Sequence, residues 1–524
     1  MTQSGRGPVL SRRTLLRWGA LVGAGAALTP LVGCAGPTGT AGPDTFTISL
    51  NRSLVSLDNK LNQFDAAVTV QRAVRQALTR IGPDLKTQLV LAEQFDLTGP
   101  TEWTVRLAAG ARYSDGTPVT IADVTTALEM YQQVQGSFVA GFFPEWPAVE
   151  PLDDRTFTLR TQEPIPTLDY LMSNILITPA AANKPEELQD GVGSGPYVVQ
   201  TANRGTGDYT LTINENYWGP KPSISTVQVR FMPDETSRVV ALRSGEVDVI
   251  DAISPDAGQQ LAGVPKVSIE RVEGTRINQL FYNFRKQPGQ PLADPKVREA
   301  LTYAIDGQSL AQNVLVGSVK QAEGVIATSL AGAIKTGQYV YDPDKAKQML
   351  ASLGVTDLEI KIIWERGEFA SDTSVMEAVA EMLGAVGVRT SLQQFEPGGD
   401  ISQWRQGKAG DWDVLGNGYP GPTGLALTPL QGMFAGTAEK EETRDTYHGY
   451  IFPEITDLIT KASQETDPTT RNATLATAQQ QIWATWPCLW AFVPQAVVAN
   501  RARVTGIELS PTNSYNLAQI RLEV

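Results

Sequence analysis

The chain has 524 residues, of which 42 % are hydrophobic, and it carries a formal net charge of −13 at pH 7. Such an excess of acidic groups repels nucleic acids and anionic lipid head groups, which argues against a polyanionic partner. The length predicts two to four domains with enough apolar surface for a sizeable core.

The first 34 residues have the pattern of an export signal. Arg12 and Arg13 stand in the sequence Ser-Arg-Arg-Thr-Leu-Leu-Arg and precede an apolar stretch, residues 18–33. The paired arginines resemble a twin-arginine export signal, and the closing Leu-Val-Gly-Cys, which ends at Cys34, resembles a bacterial lipobox. The alternative is a transmembrane helix, but the stretch is shorter than the roughly 20 residues that a span requires.

We therefore expect residues 1–33 to be a signal peptide and Cys34 to carry lipid on the extracytoplasmic face of the bacterial cell membrane. Cleavage would remove four arginines and no acidic residue, so the mature chain is still more acidic. Residues 35–43 are rich in Gly, Pro and Thr, which predicts a flexible tether. Cys488, the second cysteine of the sequence, then lacks a disulfide partner and is expected to be a small buried residue.

Short segments with strand or helix periodicity follow one another along the chain. The predicted strands are residues 46–50, 103–107, 156–160, 197–200, 209–213, 227–232, 247–250, 278–284, 360–364 and 413–415. The predicted helices are residues 68–78, 120–134, 236–244 and 294–305. Because strands alternate with helices throughout, the predicted fold class is α/β.

Three helix starts are marked by capping residues. Thr120 can cap a helix with Asp123 three residues further on. Asp342-Pro343 and Asp467-Pro468 each place an N-cap Asp before a Pro at the first helical position.

Six motifs, in this order along the chain, resemble those of the family 5 extracytoplasmic solute-binding proteins, the peptide- and nickel-type binding components of ABC importers. They are Trp-Thr-Val-Arg-Leu-Ala-Ala-Gly-Ala-Arg-Tyr-Ser-Asp-Gly-Thr-Pro from residue 103, Gly-Ser-Gly-Pro-Tyr from 193, Asn-Glu-Asn-Tyr-Trp-Gly-Pro-Lys-Pro from 214, Gly-Glu-Val-Asp from 245, Asp-Pro-Lys-Val-Arg-Glu-Ala-Leu-Thr-Tyr-Ala-Ile-Asp from 294 and Tyr-Asp-Pro-Asp-Lys-Ala-Lys from 341. Most of these residues set turns and helix caps. The set therefore indicates the family and does not specify a ligand.

The resemblance implies two lobes that close on a ligand by hinge motion and then dock on a permease. The implied first lobe comprises residues 44–80, 195–288 and 490–524. A smaller domain, residues 81–194, is inserted in it, and residues 289–489 form the second lobe. The implied chemistry is binding without catalysis, by a monomer.

The sequence departs from the peptide-binding pattern where family members hold the ligand's α-ammonium with an Asp of the second lobe. After Asp413 no acidic residue follows until Glu439, and the expected place is occupied by Asn417, Gly418 and Tyr419. An amide oxygen accepts a hydrogen bond but offers no full charge to a buried cation. This stretch therefore does not predict recognition of a free peptide N-terminus, and Asn417 and Tyr419 are the candidate ligand contacts here.

Arg366 is a candidate partner for a ligand carboxylate. It follows the strand that ends at Trp364, in a place similar to that of a carboxylate-binding Arg in dipeptide-type members. A guanidinium group matches a carboxylate in a two-point contact. The alternative is a solvated Arg366 paired with Glu365 or Glu368.

Further candidates come from aromatic residues and from family positions at the cleft edge. The aromatic residues concentrate in and beside the second lobe, and they either line a pocket, with Trp404 as the candidate, or fill the core; they are Trp404, Trp412, Tyr419, Trp483, Trp486 and Trp490. In the first lobe, the resemblance suggests Phe64, Asp65 and Asn278 as ligand contacts. Asp65 is an alternative partner for a cationic group.

The sequence gives little support to an enzyme. It has no Walker A, Gly-x-Ser-x-Gly, His-Glu-x-x-His or Cys-x-x-Cys motif. The single histidine, His448, cannot build a His-rich metal site and is either one ligand to a haem or metal chelate or a surface residue. No cofactor is predicted.

We expect a lipid-anchored receptor that captures peptides or peptide-like solutes for an ABC importer. The alternative keeps this module and changes the ligand to an oligosaccharide, a metal chelate or another organic solute. A hydrolase would need a nucleophile–base or paired-carboxylate constellation, which the sequence does not offer.

Overall fold

A computed structural model describes residues 44–54, 56–60, 65–134, 137, 139–182 and 191–523. The predicted signal peptide, Cys34, the tether and Phe64 lie outside the described residues. In this part of the chain, no helix is both long and apolar enough to span a bilayer.

The strands are numbered in chain order. They are β1 Thr45–Leu50, β2 Thr79–Ile81, β3 Thr87–Leu89, β4 Ala92–Gly99, β5 Glu102–Leu107, β6 Ala148–Pro151, β7 Thr156–Arg160, β8 Tyr197–Asn203, β9 Asp208–Ile213, β10 Thr226–Phe231, β11 Val249–Ile250, β12 Val267–Glu273, β13 Ile277–Tyr282, β14 Val319–Gln321, β15 Glu359–Glu365, β16 Arg389–Phe395, β17 Val414–Tyr419, β18 Cys488–Arg501, β19 Val504–Thr505 and β20 Arg521–Leu522.

The α-helices are numbered in the same way. They are α1 Asp65–Val74, α2 Ile121–Gln133, α3 Leu168–Met172, α4 Glu235–Ser244, α5 Pro255–Leu261, α6 Pro295–Thr302, α7 Gly307–Ser309, α8 Pro343–Ser352, α9 Asp372–Ala385, α10 Ile401–Arg405, α11 Leu427–Phe434, α12 Ala438–Thr443, α13 Pro453–Gln464 and α14 Pro468–Ala484. The α/β class is confirmed.

The capping predictions are confirmed. Thr120 and Asp123 form a capping box at the start of α2. The Asp342 side chain accepts a bond of 2.9 Å from the Lys345 amide at the start of α8, and Asp467 accepts one of 2.8 Å from the Thr470 amide at α14. These bonds satisfy amides that the first helical turn leaves without partners.

The first predicted helix ends earlier than expected, at Val74 instead of Leu78. The Val74 carbonyl accepts a bond of 2.9 Å from the Gly195 amide, and a Cβ at Gly195 would lie 2.3 Å from the Ala73 carbonyl oxygen. The Gly-Ser-Gly-Pro-Tyr bend thus donates a hydrogen bond to the last carbonyl group of the helix, at a distance that only glycine permits. Helical spacing alone did not reveal this competition.

One large sheet contains two halves that share strand β18. The first half has the order β8-β9-β10-β1-β11-β18, and the second has β18-β13-β17-β15-β16. The 14 residues of β18 pair with β13 and β14 in the second half and with β12 and β11 in the first. The chain passes between the halves at residues 274–276 and 493–495, which we call the crossing region.

The parallel strands of both halves end towards the crossing region. In the second half, β17 runs antiparallel to β13, and β15 and β16 are parallel to β17, so all three end level with the start of β13. In the first half, β11 runs antiparallel to β18 towards the crossing region, and β1 and β10 are parallel to β11. In open α/β sheets, ligands bind beyond the carboxyl ends of parallel strands. The sheet topology therefore predicts a ligand site near the crossing region.

The apolar side chains of the described residues form four clusters. One spans residues 277–493 on the second half of the sheet, and another spans residues 78–177 around the antiparallel sheet β4-β5-β7-β6. The other two cover opposite sides of the first half of the sheet. Cys488 is buried in the first cluster, as expected for a small apolar residue.

Candidate functional site

Three of the candidate ligand contacts come together where β13 and β17 meet. In this antiparallel pair, Ile277 lies opposite Tyr419, Asn278 opposite Gly418 and Gln279 opposite Asn417. Asn278 and Asn417 are buried, with 1 % and 7 % of their surface exposed, whereas Tyr419 is half-buried. We call this end of the second half of the sheet the strand-end edge.

An ion pair that the sequence did not reveal lies at the strand-end edge. Arg276 in the crossing region pairs with Glu368, which lies between β15 and α9. The Arg276 Nε donates to the Asn278 side-chain oxygen at 2.9 Å, and the Gly418 amide donates to Glu368 Oε1 at 2.9 Å. A carboxylate therefore lies beside Gly418, where the sequence itself has no acidic residue.

Burial raises the pKa of Glu368, and the Arg276 charge and the Gly418 amide work in the opposite direction. Among the described residues, both contacts of this carboxylate fall on Oε1. Since a carboxylate offers about four acceptor positions, Oε2 is available to a further donor. In the sequence, Glu368 was notable only as a possible partner of Arg366, and no pattern linked it to residue 418.

Arg366 and Trp404 lie apart from that ion pair. Arg366 is 61 % exposed and pairs with Glu396, itself 65 % exposed, so neither Glu365 nor Glu368 is its ion-pair partner. The Trp404 ring packs against Phe395 at 5.5 Å between ring centroids, and the Lys361 ammonium lies 4.4 Å from its centroid. These contacts favour a solvated arginine and a packing role for the tryptophan.

The structure describes less of the candidate ligand contacts in the predicted first lobe. Phe64 lies outside the described residues, and Asp65 is the first residue of α1, with its side chain outside the description. A cavity of about 140 Å³ is instead found between α1, the β2–β3 hairpin and residues 508–519 near the C-terminus. Arg72 and Arg80 line it. Neither arginine was singled out in the sequence, because nothing local distinguishes them from solvated helix and strand residues.

His448 is buried, with 2 % of its surface exposed, so its interpretation as a surface residue is wrong. Its ring stacks on Phe281 at 4.5 Å and is surrounded by Phe284, Phe434 and Tyr450. Within the described part of the chain, no cluster of three or more His, Cys, Asp or Glu side chains could hold a metal ion.

This arrangement defines a class of protein. Two half-sheets are joined by two short crossings, and both present the ends of parallel strands towards these crossings, as in two-lobed α/β ligand-binding proteins. Residues 86–441 match the model of the bacterial extracellular solute-binding proteins, family 5 middle, and the chain belongs to this family.

Relatives and solved structures agree with this assignment. The glutathione-binding protein GsiB of Escherichia coli (strain K12) is 24 % identical over 477 residues, which cover 88 % of this chain and 92 % of the relative. The substrate-binding protein CtaP of Listeria monocytogenes superposes with a TM-score of 0.80 at 20 % identity, covering 92 % of this chain and 99 % of that chain. The binding protein AgaA of A. tumefaciens R10, in complex with agropinic acid, gives a TM-score of 0.73 at 23 % identity, again over 92 % and 99 %. The chain is thus a solute-binding component of the kind that serves ABC importers.

Proposed function

We propose that this protein is a lipid-anchored receptor that captures peptides or peptide-like solutes and delivers them to an ABC importer. The binding site is proposed to lie between two lobes at the crossing region. The observation that carries this proposal is the convergence of parallel strand ends from both half-sheets on that region, together with a partly available carboxylate there.

The Glu368 carboxylate is the proposed partner for a ligand ammonium group. It lies beside the Gly418 amide, and its Oε2 has capacity for a donor. Arg276 neutralises part of its charge, so the two groups together suit a ligand that presents an ammonium and a carboxylate side by side. Asn278, Asn417 and Tyr419 flank this pair on β13 and β17.

The test compares free and N-acetylated forms of the same peptide by calorimetry. In the wild type the free ammonium should favour binding by about 1.5–3 kcal/mol, as expected of a hydrogen bond to a charged group. Glu368→Gln should abolish this preference. Glu396→Gln is the matched control, because Glu396 is exposed and pairs with Arg366. If Glu368→Gln retained the preference, Glu368 would be excluded as the ammonium partner.

The lobe boundaries and the site residues remain predictions. We keep residues 44–80, 195–288 and 490–524 as the first lobe, 81–194 as the inserted domain and 289–489 as the second lobe. Arg366, Trp404, Phe64 and Asp65 keep their proposed roles as ligand contacts, although the surface pair of Arg366 with Glu396 favours a solvated role.

A non-peptide solute is the second candidate, since AgaA was solved in complex with agropinic acid. The pairing of Glu368 with Arg276 favours it, because a neutralised carboxylate attracts an ammonium less strongly. Equal affinity for free and acetylated peptides, or no affinity for either, would support this candidate.

A further inference from the structure

Two arginines without acidic partners line the cavity between α1, the β2–β3 hairpin and residues 508–519. Within the described residues, neither Arg72 nor Arg80 has a carboxylate within 4.0 Å. A third arginine of the lining, Arg75, differs because its guanidinium lies 3.7 Å from the Asp58 carboxylate. The cavity thus holds two positive charges that no described carboxylate within 4.0 Å neutralises.

Most donor groups of the two guanidiniums have no acceptor in the part of the chain that the structure describes. The Arg72 Nη2 donates to the Ser173 carbonyl at 3.2 Å, and the Arg80 Nε donates to the Gln88 side-chain oxygen at 2.9 Å. Because a guanidinium has five N–H donors, most of those on each side chain lack an acceptor among the described residues. Water molecules can accept hydrogen bonds from these N–H groups, and so can an anion with two or more oxygens.

The two charges also act on each other. Burial and, to a smaller extent, the charge of Arg80 lower the pKa of Arg72 to about 10. Arg72 remains protonated at neutral pH. Two like charges beside one half-enclosed cavity repel each other, and an anion between them would turn this repulsion into attraction.

Apart from the three arginines, the described lining contains one charged side chain. Glu508 is the acidic residue of the lining, and its exposed carboxylate lies more than 4.0 Å from either guanidinium nitrogen group. No residue between 218 and 507 lines the cavity.

We propose that this cavity is an anion-binding site in which Arg72 and Arg80 together hold the carboxylate of a small organic acid. The cavity volume of about 140 Å³ accommodates a carboxylate with a short carbon chain. The carboxylate belongs either to a free organic acid or to one end of the transported solute. The site requires no residue of the strand-end edge, so it is independent of ammonium recognition by Glu368.

The experiment uses thermal unfolding and calorimetry of residues 35–524, the chain that follows the predicted lipidated cysteine, with three probes. These are succinate, reduced glutathione and the glutathione diester, in which both carboxylates are blocked. We expect succinate or glutathione to raise the wild-type melting temperature, and the diester to have at least about tenfold lower affinity than glutathione.

Arg80→Gln should weaken binding of the effective probe at least about tenfold, and Arg72→Gln should do the same. Without ligand, Arg80→Gln should leave the melting temperature unchanged or raised, since it removes a repulsion. If Arg80 instead stabilised the fold, this substitution would lower the melting temperature.

Glu508→Gln should strengthen binding of the effective probe, because it removes a negative charge from the lining of the cavity. Arg389→Gln is the matched control, because Arg389 is exposed and pairs with Asp357 at 3.4 Å.

The outcomes separate the sources of the carboxylate. If succinate raises the melting temperature of the wild type and does not do so in Arg80→Gln, a free organic acid is sufficient to occupy the site. A response to glutathione alone, lost in the diester and in Arg80→Gln, assigns the carboxylate to the larger solute. If no probe bound, or if binding were lost in Arg366→Gln and kept in Arg80→Gln, the proposal would be wrong. None of these results depends on whether Glu368→Gln changes ammonium preference.

Discussion

His448 is an imidazole enclosed by aromatic rings. Neither ring nitrogen has a hydrogen-bond partner among the described residues. Burial and, to a smaller extent, the charge of Arg285 lower the pKa of His448 to about 3. In the unfolded chain the pKa returns to about 6.5. The unfolded chain therefore binds this proton more readily, and the folded state loses stability as the pH falls from about 6.5 towards 3.

His448→Phe should flatten the dependence of stability on pH. For the wild type, this histidine alone should cost about 2 kcal/mol of unfolding free energy between pH 7 and pH 5. The variant lacks the titrating group, so urea unfolding at the two pH values should show a loss smaller by about that amount. The carboxylates titrate equally in both proteins and cancel in the comparison. An identical loss in both would mean that His448 is protonated readily in the fold.

At the residue scale, the sequence predicted the roles of residues whose partners are close to them in the chain. The N-cap residues Asp342 and Asp467 could be predicted, because capping depends on neighbours within three positions. The pairing of Arg276 with Glu368 could not, because it joins residues 92 positions apart. Only the assembled sheet brings β15 and the crossing region together.

At the scale of elements, the crossing region joins the half-sheets through close backbone contacts. The Gly274 amide donates to the Pro494 carbonyl at 3.1 Å, and the Thr275 amide donates to the Pro511 carbonyl at 3.1 Å. A Cβ at Gly274 would lie 2.6 Å from the Pro494 carbonyl oxygen. The two crossing segments can therefore approach this closely only with glycine at position 274.

Gly274→Ala should destabilise the protein by about 1–3 kcal/mol, because the added methyl group forces the two crossing segments apart. Chemical unfolding measures this difference. Gly384→Ala is the matched control, since Gly384 lies in α9 and nothing is within 4 Å of its Cβ position. The control should be stabilised by about 0.5–1 kcal/mol through helix propensity. Equal effects of the two substitutions would contradict the close contact at the crossing.

The predicted bounds of strands and helices were accurate where the local pattern of apolar residues determined them. They were less accurate where other segments compete for the backbone hydrogen bonds. The strand predicted at 278–284 is observed at Ile277–Tyr282, because the Asn283 amide bonds to the Asp413 carbonyl and the Phe284 amide to the His448 carbonyl. The order of strands in the large sheet, and the sharing of β18 by both halves, depend on long-range pairing that no local pattern contains.

At the scale of the whole molecule, anchoring and binding are separate properties. The lipid is predicted on Cys34, outside the described residues, whereas Cys488 is buried at the start of β18. The folded body should therefore be released intact when the anchor is removed.

Cys34→Ala should move the protein from the membrane fraction to the soluble fraction of the producing bacterium, with unchanged ligand binding. Immunoblots of the two fractions measure this redistribution. Cys488→Ala is the control and should remain with the membrane. Sedimentation of Cys34→Ala with the membrane would refute the predicted lipid anchor.

The central claim is that the chain captures a peptide-like solute. Native mass spectrometry of residues 35–524, purified from cells without refolding, tests it most directly. We predict bound masses that fragment as short peptides or as a peptide-like organic acid. One discrete mass of a different chemical class, or an empty protein that stays empty in a peptide mixture, would contradict the claim.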